Sequence, residues 1–236
     1  MPLRLFRSRN VAGANVIQAL LVVGMFGMFF LGALYMQRIL DYGALEVGLA
    51  FLPATIVMGA MSFRFTGQLN LRFGPVATLL PGMVAIGVGM LLFAMTPVDA
   101  DYWTDIMPAM GLFGLGAGLA FPSLMTLAMS GATESDSGLA SGLVNTSVQV
   151  GGAIGLAVLA TLATDRTDGL LADGVSNASA LNSGYHFAYL IGAGLVALAL
   201  VIAVGVLRSP EPAASGGETD ERARRTEGEP AYSEAA

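Results

Sequence analysis

The chain has 236 residues, of which 55% are apolar and only 12% charged, and its formal net charge is -6. It contains no cysteine and one histidine, and its mean hydropathy is +0.69. Soluble domains carry about 25% charged residues, so this composition excludes a soluble domain. The absence of cysteine excludes a disulfide framework, a thiolate metal site and a cysteine nucleophile. The acidic balance argues against nucleic-acid binding, and nothing in the sequence calls for a cofactor. An integral membrane protein remains.

Six apolar stretches predict membrane-spanning helices. Each is long enough to cross a hydrocarbon core of about 30 Å, and none carries Asp, Glu or Arg near its centre. Backbone polar groups must be paired inside lipid and barrel-type alternation is absent, so helices are expected. The predicted spans are residues 12–35, 44–63, 76–96, 106–129, 139–163 and 187–207. The predicted fold class is all-α, with a six-helix transmembrane bundle over residues 1–208.

The first span follows a basic start, as a signal peptide would. However, its apolar stretch is about twice the usual 7–15 residues and lacks a small-residue cleavage site, so we expect a retained first helix. It holds Asn15 and Gln18, which are three residues apart and therefore share a helix face. The second span has Glu46 near its start.

The arginines predict the orientation of the bundle. With an even number of spans, Arg38 and Arg166 fall on one side. The other side carries Arg4, Arg7, Arg9, Arg64, Arg72 and Arg208. The positive-inside rule therefore places both termini in the cytoplasm, with the protein in the cell's inner (plasma) membrane.

The fourth and fifth spans combine many glycines with polar side chains. Asn145 and Gln149 are four apart and share a face of the fifth span, and small residues four apart allow close helix packing. Two interpretations of the buried polar groups stay open: hydrogen bonds between helices, worth about 0.6 kcal/mol each, or the lining of a cavity. The cavity candidates are Asn15, Gln18, Ser123, Thr126, Asn145 and Gln149.

A catalytic alternative has weak support. Ser141 and His186 could form a nucleophile and base, but they are predicted near opposite ends of their spans, most of a bilayer thickness of about 30 Å apart. One histidine and no cysteine leave too few ligands for a usual zinc site, so no metal is predicted. Residues 209–236 are rich in Pro, Gly, Glu, Ser and Arg, which predicts a disordered cytoplasmic tail.

The most specific stretch is the predicted loop from Arg64 to Pro75. It resembles the cytoplasmic motif G-x-L-x-D-R-x-G of the major facilitator superfamily, which joins the second and third helices of each six-helix half. Gly67, Leu69, Arg72 and Gly74 match the motif, whereas Leu71 replaces its Asp. The glycine-rich fourth span and the segment from Ser141 to Gly155 resemble the fourth and fifth helices of the second half in the fourteen-helix drug:proton antiporter branch.

This resemblance implies the C-terminal half of a proton-coupled exporter of small drug-like or amphipathic molecules. The implied partners are the lipid bilayer, the substrate, protons and an N-terminal half bundle in the same or a separate chain. Alternating access would rock the two halves about a central cavity. Glu46 is a candidate for proton coupling, although a carboxylate there is also favourable at a helix start. The alternatives are a half that does not transport by itself and, with less support, a membrane-embedded enzyme.

Overall fold

The computed structural model describes residues 9–130 and 137–207. Within them the predicted all-α fold class is confirmed, because six helices are long and apolar enough to cross a membrane. The predicted tail and Arg4, Arg7 and Arg208 lie outside the described residues. The helices are α1 (Arg9–Arg38), α2 (Ala44–Ala60), α3 (Gly67–Phe73), α4 (Pro75–Phe93), α5 (Met107–Met129), α6 (Ser137–Ala172) and α7 (Asn177–Val206). A π-helical segment, Met61–Thr66, joins α2 to α3 into one span, and another, Tyr102–Ile106, precedes α5.

The helices run alternately up and down, so the bundle has two ends. We call proximal the end at which α1 begins, α3 meets α4 and α7 finishes. We call distal the end that holds the α1–α2, α4–α5 and α6–α7 turns. Among the described residues, the distal end carries most of the charged side chains: Arg38, Asp41, Glu46, Asp99, Asp101, Asp105, Asp165, Arg166, Asp168 and Asp173.

Two segments predicted as connections are mostly helical, so the helices are longer than the predicted spans. The stretch 64–75 continues the second helix as far as Phe73 and breaks only at Gly74, whose φ of 87° is open to glycine, before Pro75 starts α4. The stretch 164–186 is helical except for residues 173–176. Hydropathy marks the part of a helix that lies in lipid, and backbone hydrogen bonding continues beyond it.

The turn between α6 and α7 shows how the sequence stops a helix. Gly174 has a φ of 82°, its N–H bonds the Leu171 carbonyl at 3.0 Å, and Val175 N–H bonds the Leu170 carbonyl at 3.0 Å. These two bonds are those of a Schellman motif, in which glycine takes the left-handed position. The Ser176 hydroxyl then accepts from Ser179 N–H at 3.4 Å and caps α7.

The six spans form a bundle with one open side. Helices α1 and α5 lie at the centre, α6 packs on α1, α2 packs on α5, and α4 and α7 pack behind the central pair. In the most apolar window of the second and fifth spans only 17% of the residues are buried, against 56% and 61% in α1 and in the span containing α5. We call the surface between α2 and α6, with α1 and α5 at its floor, the open side.

Glycines set the distances between α5 and its neighbours. A Cβ on Gly114 would overlap the backbone of Ala54 in α2, and one on Gly82 would lie 2.9 Å from the Gly116 carbonyl. Gly118 similarly abuts Met58 in α2. Small residues therefore allow α2 and α4 to approach α5 backbone to backbone, as in other membrane helix pairs.

The carbonyl of Gly118 is held by side chains of the neighbouring helix. Pro122 lies four residues later and has no N–H, so this carbonyl lacks its helical donor. Instead it accepts from Thr66 Oγ1 at 2.8 Å and from Ser62 Oγ at 3.3 Å. Hydroxyls from the π-helical segment thus satisfy the group that the proline leaves unpaired.

Candidate functional site

The floor of the open side contains two adjoining clefts. One, of about 240 Å³, lies where α1, α2, α5 and α6 meet. The second, of about 410 Å³, follows α1 beside α6. Met25 lines both clefts. The other lining side chains are Val22, Met58, Ser62, Ala117, Phe121, Pro122 and Val148 in the first cleft, and Phe26, Phe29, Phe30, Ala33 and Leu156 in the second.

These walls are almost entirely apolar and rich in aromatic rings and methionine. Phe29 is fixed from two sides, with its ring centroid 5.1 Å from that of Phe51 and 6.1 Å from that of Phe113. Methionine side chains adapt to ligands of varied shape, and apolar clefts with few polar groups suit small organic molecules. These residues were not predicted as site residues, because phenylalanine and methionine are ordinary lipid-facing residues in any span. The available sequence signal was that the phenylalanine and methionine residues of α1 that line the clefts share one helix face.

Asn145 and Gln149 are exposed on α6. Neither side chain makes a hydrogen bond within the part of the chain that the structure describes. They lie at the edge of the α6 face that packs on α1, where Gly152 and Gly155 contact α1 and a Cβ on Gly155 would overlap Val23. Asn145 is seven residues before Gly152 and is therefore only about 20° from it around the helix axis. The amide pair therefore lies beside the α1–α6 contact and is not covered by it.

The other predicted amide pair is buried instead. Asn15 is 5% exposed, donates from Nδ2 to the Val11 carbonyl at 2.8 Å and accepts at Oδ1 from Ser147 Oγ at 3.1 Å. Gln18 is 6% exposed, and its Oε1 makes no hydrogen bond to the described residues. The structure therefore joins α1 to α6 through Asn15 and Ser147, and it does not bring the two amide pairs together.

The two hydroxyls predicted on α5 also differ. Ser123 is fully buried, with its Oγ 2.8 Å from the Leu119 carbonyl and 2.9 Å from Asn70 Oδ1 of α3. Thr126 is exposed and its Oγ1 bonds the Pro122 carbonyl at 3.0 Å. In this arrangement Ser123 ties α5 to α3, whereas Thr126 is accessible at the proximal end.

The motif residues lie on α3 and at its end. Gly74 has the positive φ described above, whereas Gly67 has an ordinary helical φ of -59° and open space where a side chain would project. Leu69 and the exposed Arg72 line a cleft of about 370 Å³, and the Arg72 guanidinium carbon lies 5.1 Å from the centre of the Phe73 ring. The structure thus gives a conformational reason for Gly74 but none for Gly67.

Glu46 lies at the distal start of α2. Its Oε2 accepts from Gly43 N–H at 2.7 Å, which is the reciprocal bond of a capping box. It also lines a surface cavity of about 520 Å³ beside Tyr42, Tyr102 and Trp103. The carboxylate therefore has a local structural role at the start of α2, and its role in proton coupling stays a prediction.

Ser141 and His186 are far apart. Ser141 is near the proximal start of α6, whereas His186 lies in the distal half of α7, where its Nε2 is 2.8 Å from the Thr96 carbonyl. Helical rise separates them by roughly 30 Å along the bundle. Asn182 Nδ2 donates to the same carbonyl at 3.1 Å, so His186 belongs to a polar contact that holds the α4–α5 turn on α7.

Comparison with known proteins identifies the family. The chain is 33% identical over 208 residues to the puromycin resistance protein pur8 of Streptomyces alboniger, which covers 86% of this chain and 41% of the relative. It is also 33% identical over 208 residues to the cephamycin export protein CmcT of Amycolatopsis lactamdurans, covering 88% of this chain and 41% of that protein. With the tetracenomycin C resistance and export protein of Streptomyces glaucescens it shares 30% identity over 176 residues, which is 73% of this chain and 32% of the relative.

The chain thus spans about two fifths of the length of the first two relatives that it matches. A family model described as Major Facilitator Superfamily matches residues 1–156, which include the first four spans and the start of α6. This match agrees with the six long apolar helices and with the motif on α3 and Gly74. The chain therefore belongs to the major facilitator superfamily.

Proposed function

We propose that this chain is the C-terminal half of an exporter of small drug-like or amphipathic molecules, which works by alternating access against an N-terminal six-helix half. The observation that carries the proposal is the pair of exposed amides on α6. Asn145 and Gln149 lie on a helix that crosses the membrane, yet they have no hydrogen-bond partner among the described residues.

Lipid is a poor environment for such groups. Unpaired polar side chains in a membrane usually face a water-filled cavity or another helix. The open side offers both possibilities, since α2 and α6 are the least buried spans, α6 lines both clefts and α2 lines the first. A second bundle that covers the open side would turn the clefts and the amides into the wall of a central cavity.

The composition of the clefts supports the substrate class. Met25, Met58, Phe29 and Phe121 offer a deformable apolar surface, and Asn145, Gln149 and Thr126 offer polar groups near the proximal end. This mixture suits molecules that are apolar with a few polar groups. The names of the relatives, which concern resistance to or export of puromycin, cephamycin and tetracenomycin C, agree with this class.

The buried residues contribute in a different way. Asn15, Gln18 and Ser123 stay candidates for the cavity only if the helices separate during transport, since all three are buried here. Arg72, Gly67 and Gly74 are proposed to steady the arrangement that is closed toward the cytoplasm. Exposed Leu71 and Phe63, at 91% and 96% exposure, supply apolar surface beside the motif for contact with the other half.

The proposed orientation places the proximal end in the cytoplasm and the chain in the plasma membrane. Arg9, Arg64 and Arg72 are the described arginines near the proximal end, and the distal end carries the acidic residues named above. Export would be coupled to protons. Glu46 stays the proposed coupling candidate in this half, beside its role in capping α2.

The test changes the amides in the complete transporter, which contains this chain and its companion half. Asn145→Leu combined with Gln149→Leu removes two polar contacts of about 0.6 kcal/mol each, so we expect roughly an eightfold loss of puromycin efflux from preloaded cells. Gln37→Leu, an exposed amide at the distal end of α1, is the matched control and should retain efflux. Unchanged efflux of several substrates in the double variant, at equal membrane levels, would contradict the cavity assignment.

A further inference from the structure

A third cavity lies at the distal end of the bundle, between α1, α6 and α7. It has a volume of about 380 Å³, within the range of small-molecule sites. Much of its wall is aliphatic, formed by Leu31, Leu34, Leu171 and Leu181. It shares only Phe30 with the clefts of the open side. A ligand there would be held at one edge of the membrane rather than at the centre.

Two opposite charges line this cavity. Arg38 is the last residue of α1, and Asp168 is on α6, one turn beyond Thr164, which also lines the cavity. Both are exposed, and neither forms an ion pair with any residue in 9–130 or 137–207. A cation and an anion that share one cavity without neutralising each other can bind a ligand that carries both charges.

Tyr185 provides a buried polar group in the same cavity. It is only 4% exposed, and its hydroxyl makes no hydrogen bond of ordinary length and angle to the described residues, although the Arg38 guanidinium lies beside it. The preceding residue explains its position, because Gly184 lets α7 approach the backbone of Ala163 and the side chain of Thr167 on α6. A buried hydroxyl without a partner is costly unless a ligand pairs with it.

We propose that this cavity binds one phospholipid with an ethanolamine headgroup. Arg38 and the Tyr185 hydroxyl donate to the phosphate, Asp168 accepts from the primary ammonium, and an acyl chain follows the leucines. A guanidinium matches a phosphate in geometry as well as charge. Headgroup sites of this kind form between helices at the membrane surface. A primary ammonium can donate hydrogen bonds to a carboxylate, which a quaternary choline nitrogen cannot. The site does not depend on the transport cycle proposed above.

The test is native mass spectrometry of the full chain in detergent, with equal amounts of phosphatidylethanolamine and phosphatidylglycerol of the same acyl chains. The unmodified protein should retain one molecule of phosphatidylethanolamine in preference to phosphatidylglycerol. Arg38→Gln should weaken retention of both lipids about tenfold, because it removes the charged phosphate donor. Asp168→Asn should abolish the preference for phosphatidylethanolamine without weakening the retention of phosphatidylglycerol. Tyr185→Phe should weaken both about threefold.

Matched controls lie on α6 itself. Arg166→Gln and Asp165→Asn remove the same kinds of charge at exposed positions that do not line the cavity, and both should leave retention and preference unchanged. Equal retention of the two lipids by the unmodified chain would overturn the proposal, as would equal effects of Asp165→Asn and Asp168→Asn. If soluble phosphoethanolamine displaces the lipid at a similar concentration, the site binds a free zwitterion. That result would also overturn the proposal of a lipid site. If Arg38→Gln does not fold, the other two variants decide the outcome.

Discussion

At the scale of single residues, the carbonyl of Gly118 shows how this bundle compensates for a proline. Ser62 and Thr66 donate to it from the neighbouring span, so the cost of Pro122 within α5 is offset by side chains of another helix. This contact joins sequence positions more than fifty residues apart. The hydroxyls at 62 and 66 are ordinary in the sequence, and only the tertiary arrangement gives them this partner.

A double-mutant cycle tests this compensation. Ser62→Ala with Thr66→Val leaves a buried carbonyl without a donor, so the free energy of unfolding should fall by about 1–3 kcal/mol. When Pro122→Ala is already present, alanine supplies the backbone N–H that proline lacks. The two hydroxyl substitutions should then lower the free energy of unfolding by less than half as much. The measurement is unfolding in detergent micelles. Equal costs in both backgrounds would show that the hydroxyls do not serve the proline-freed carbonyl.

At the scale of helices, the glycines of α5 are not equivalent. Gly114 faces the backbone of Ala54, whereas Gly111, one turn earlier, has open space around its Cβ position. We therefore expect Gly114→Ala to force α2 away from α5 and to lower the free energy of unfolding by about 1–3 kcal/mol or more, as overpacking does.

Gly111→Ala is the matched control on the same helix. Alanine is favoured over glycine within a helix by about 1 kcal/mol, so this change should be neutral or stabilising. Both variants can be compared by their unfolding temperatures in the same detergent. Similar losses for the two would mean that intrinsic backbone effects, and not the α2–α5 contact, decide the outcome.

Helix existence could be predicted from the sequence, whereas helix ends could not. All six spans were predicted, because about twenty consecutive apolar residues admit few other structures in a membrane. The helix ends differ from the predicted span ends where helices extend beyond the apolar segment, as α6 does past Asp165 and Arg166 to Ala172. The signal for that end was present in Gly174, but a hydropathy argument does not use it.

The rotation of each helix about its axis was the harder quantity to predict. The sequence shows that Asn15 and Gln18 share a face, and that Asn145 and Gln149 share another, yet it does not show which face is buried. Packing decides this, because α1 covers the glycines of α6 and leaves the amide pair beside them exposed, while Ser147 pairs with Asn15. The candidate site was therefore predictable in its helices and only partly in its residues.

At the scale of the whole molecule, the orientation can be tested directly. The chain has no cysteine, so single cysteines can be introduced without removing any. Leu71→Cys at the proximal end should react with a thiol reagent that cannot cross membranes only after the cells are opened. Asp99→Cys and Ser176→Cys at the distal end should react in intact cells. The reverse pattern would place the arginine-rich end outside and overturn the proposed orientation.

The two donors to the Gly118 carbonyl have a further consequence for movement of the whole bundle. Ser62 and Thr66 are four residues apart, which is about one turn of the π-helical segment that holds them. If α2 slides lengthwise past α5, one hydroxyl can leave the carbonyl as the other closes on it, and the oxygen stays bonded throughout. Such a movement would exchange two donors for one without leaving the proline-freed carbonyl unpaired. This contact therefore permits displacement along the helix axis at a lower cost than a single hydrogen bond would.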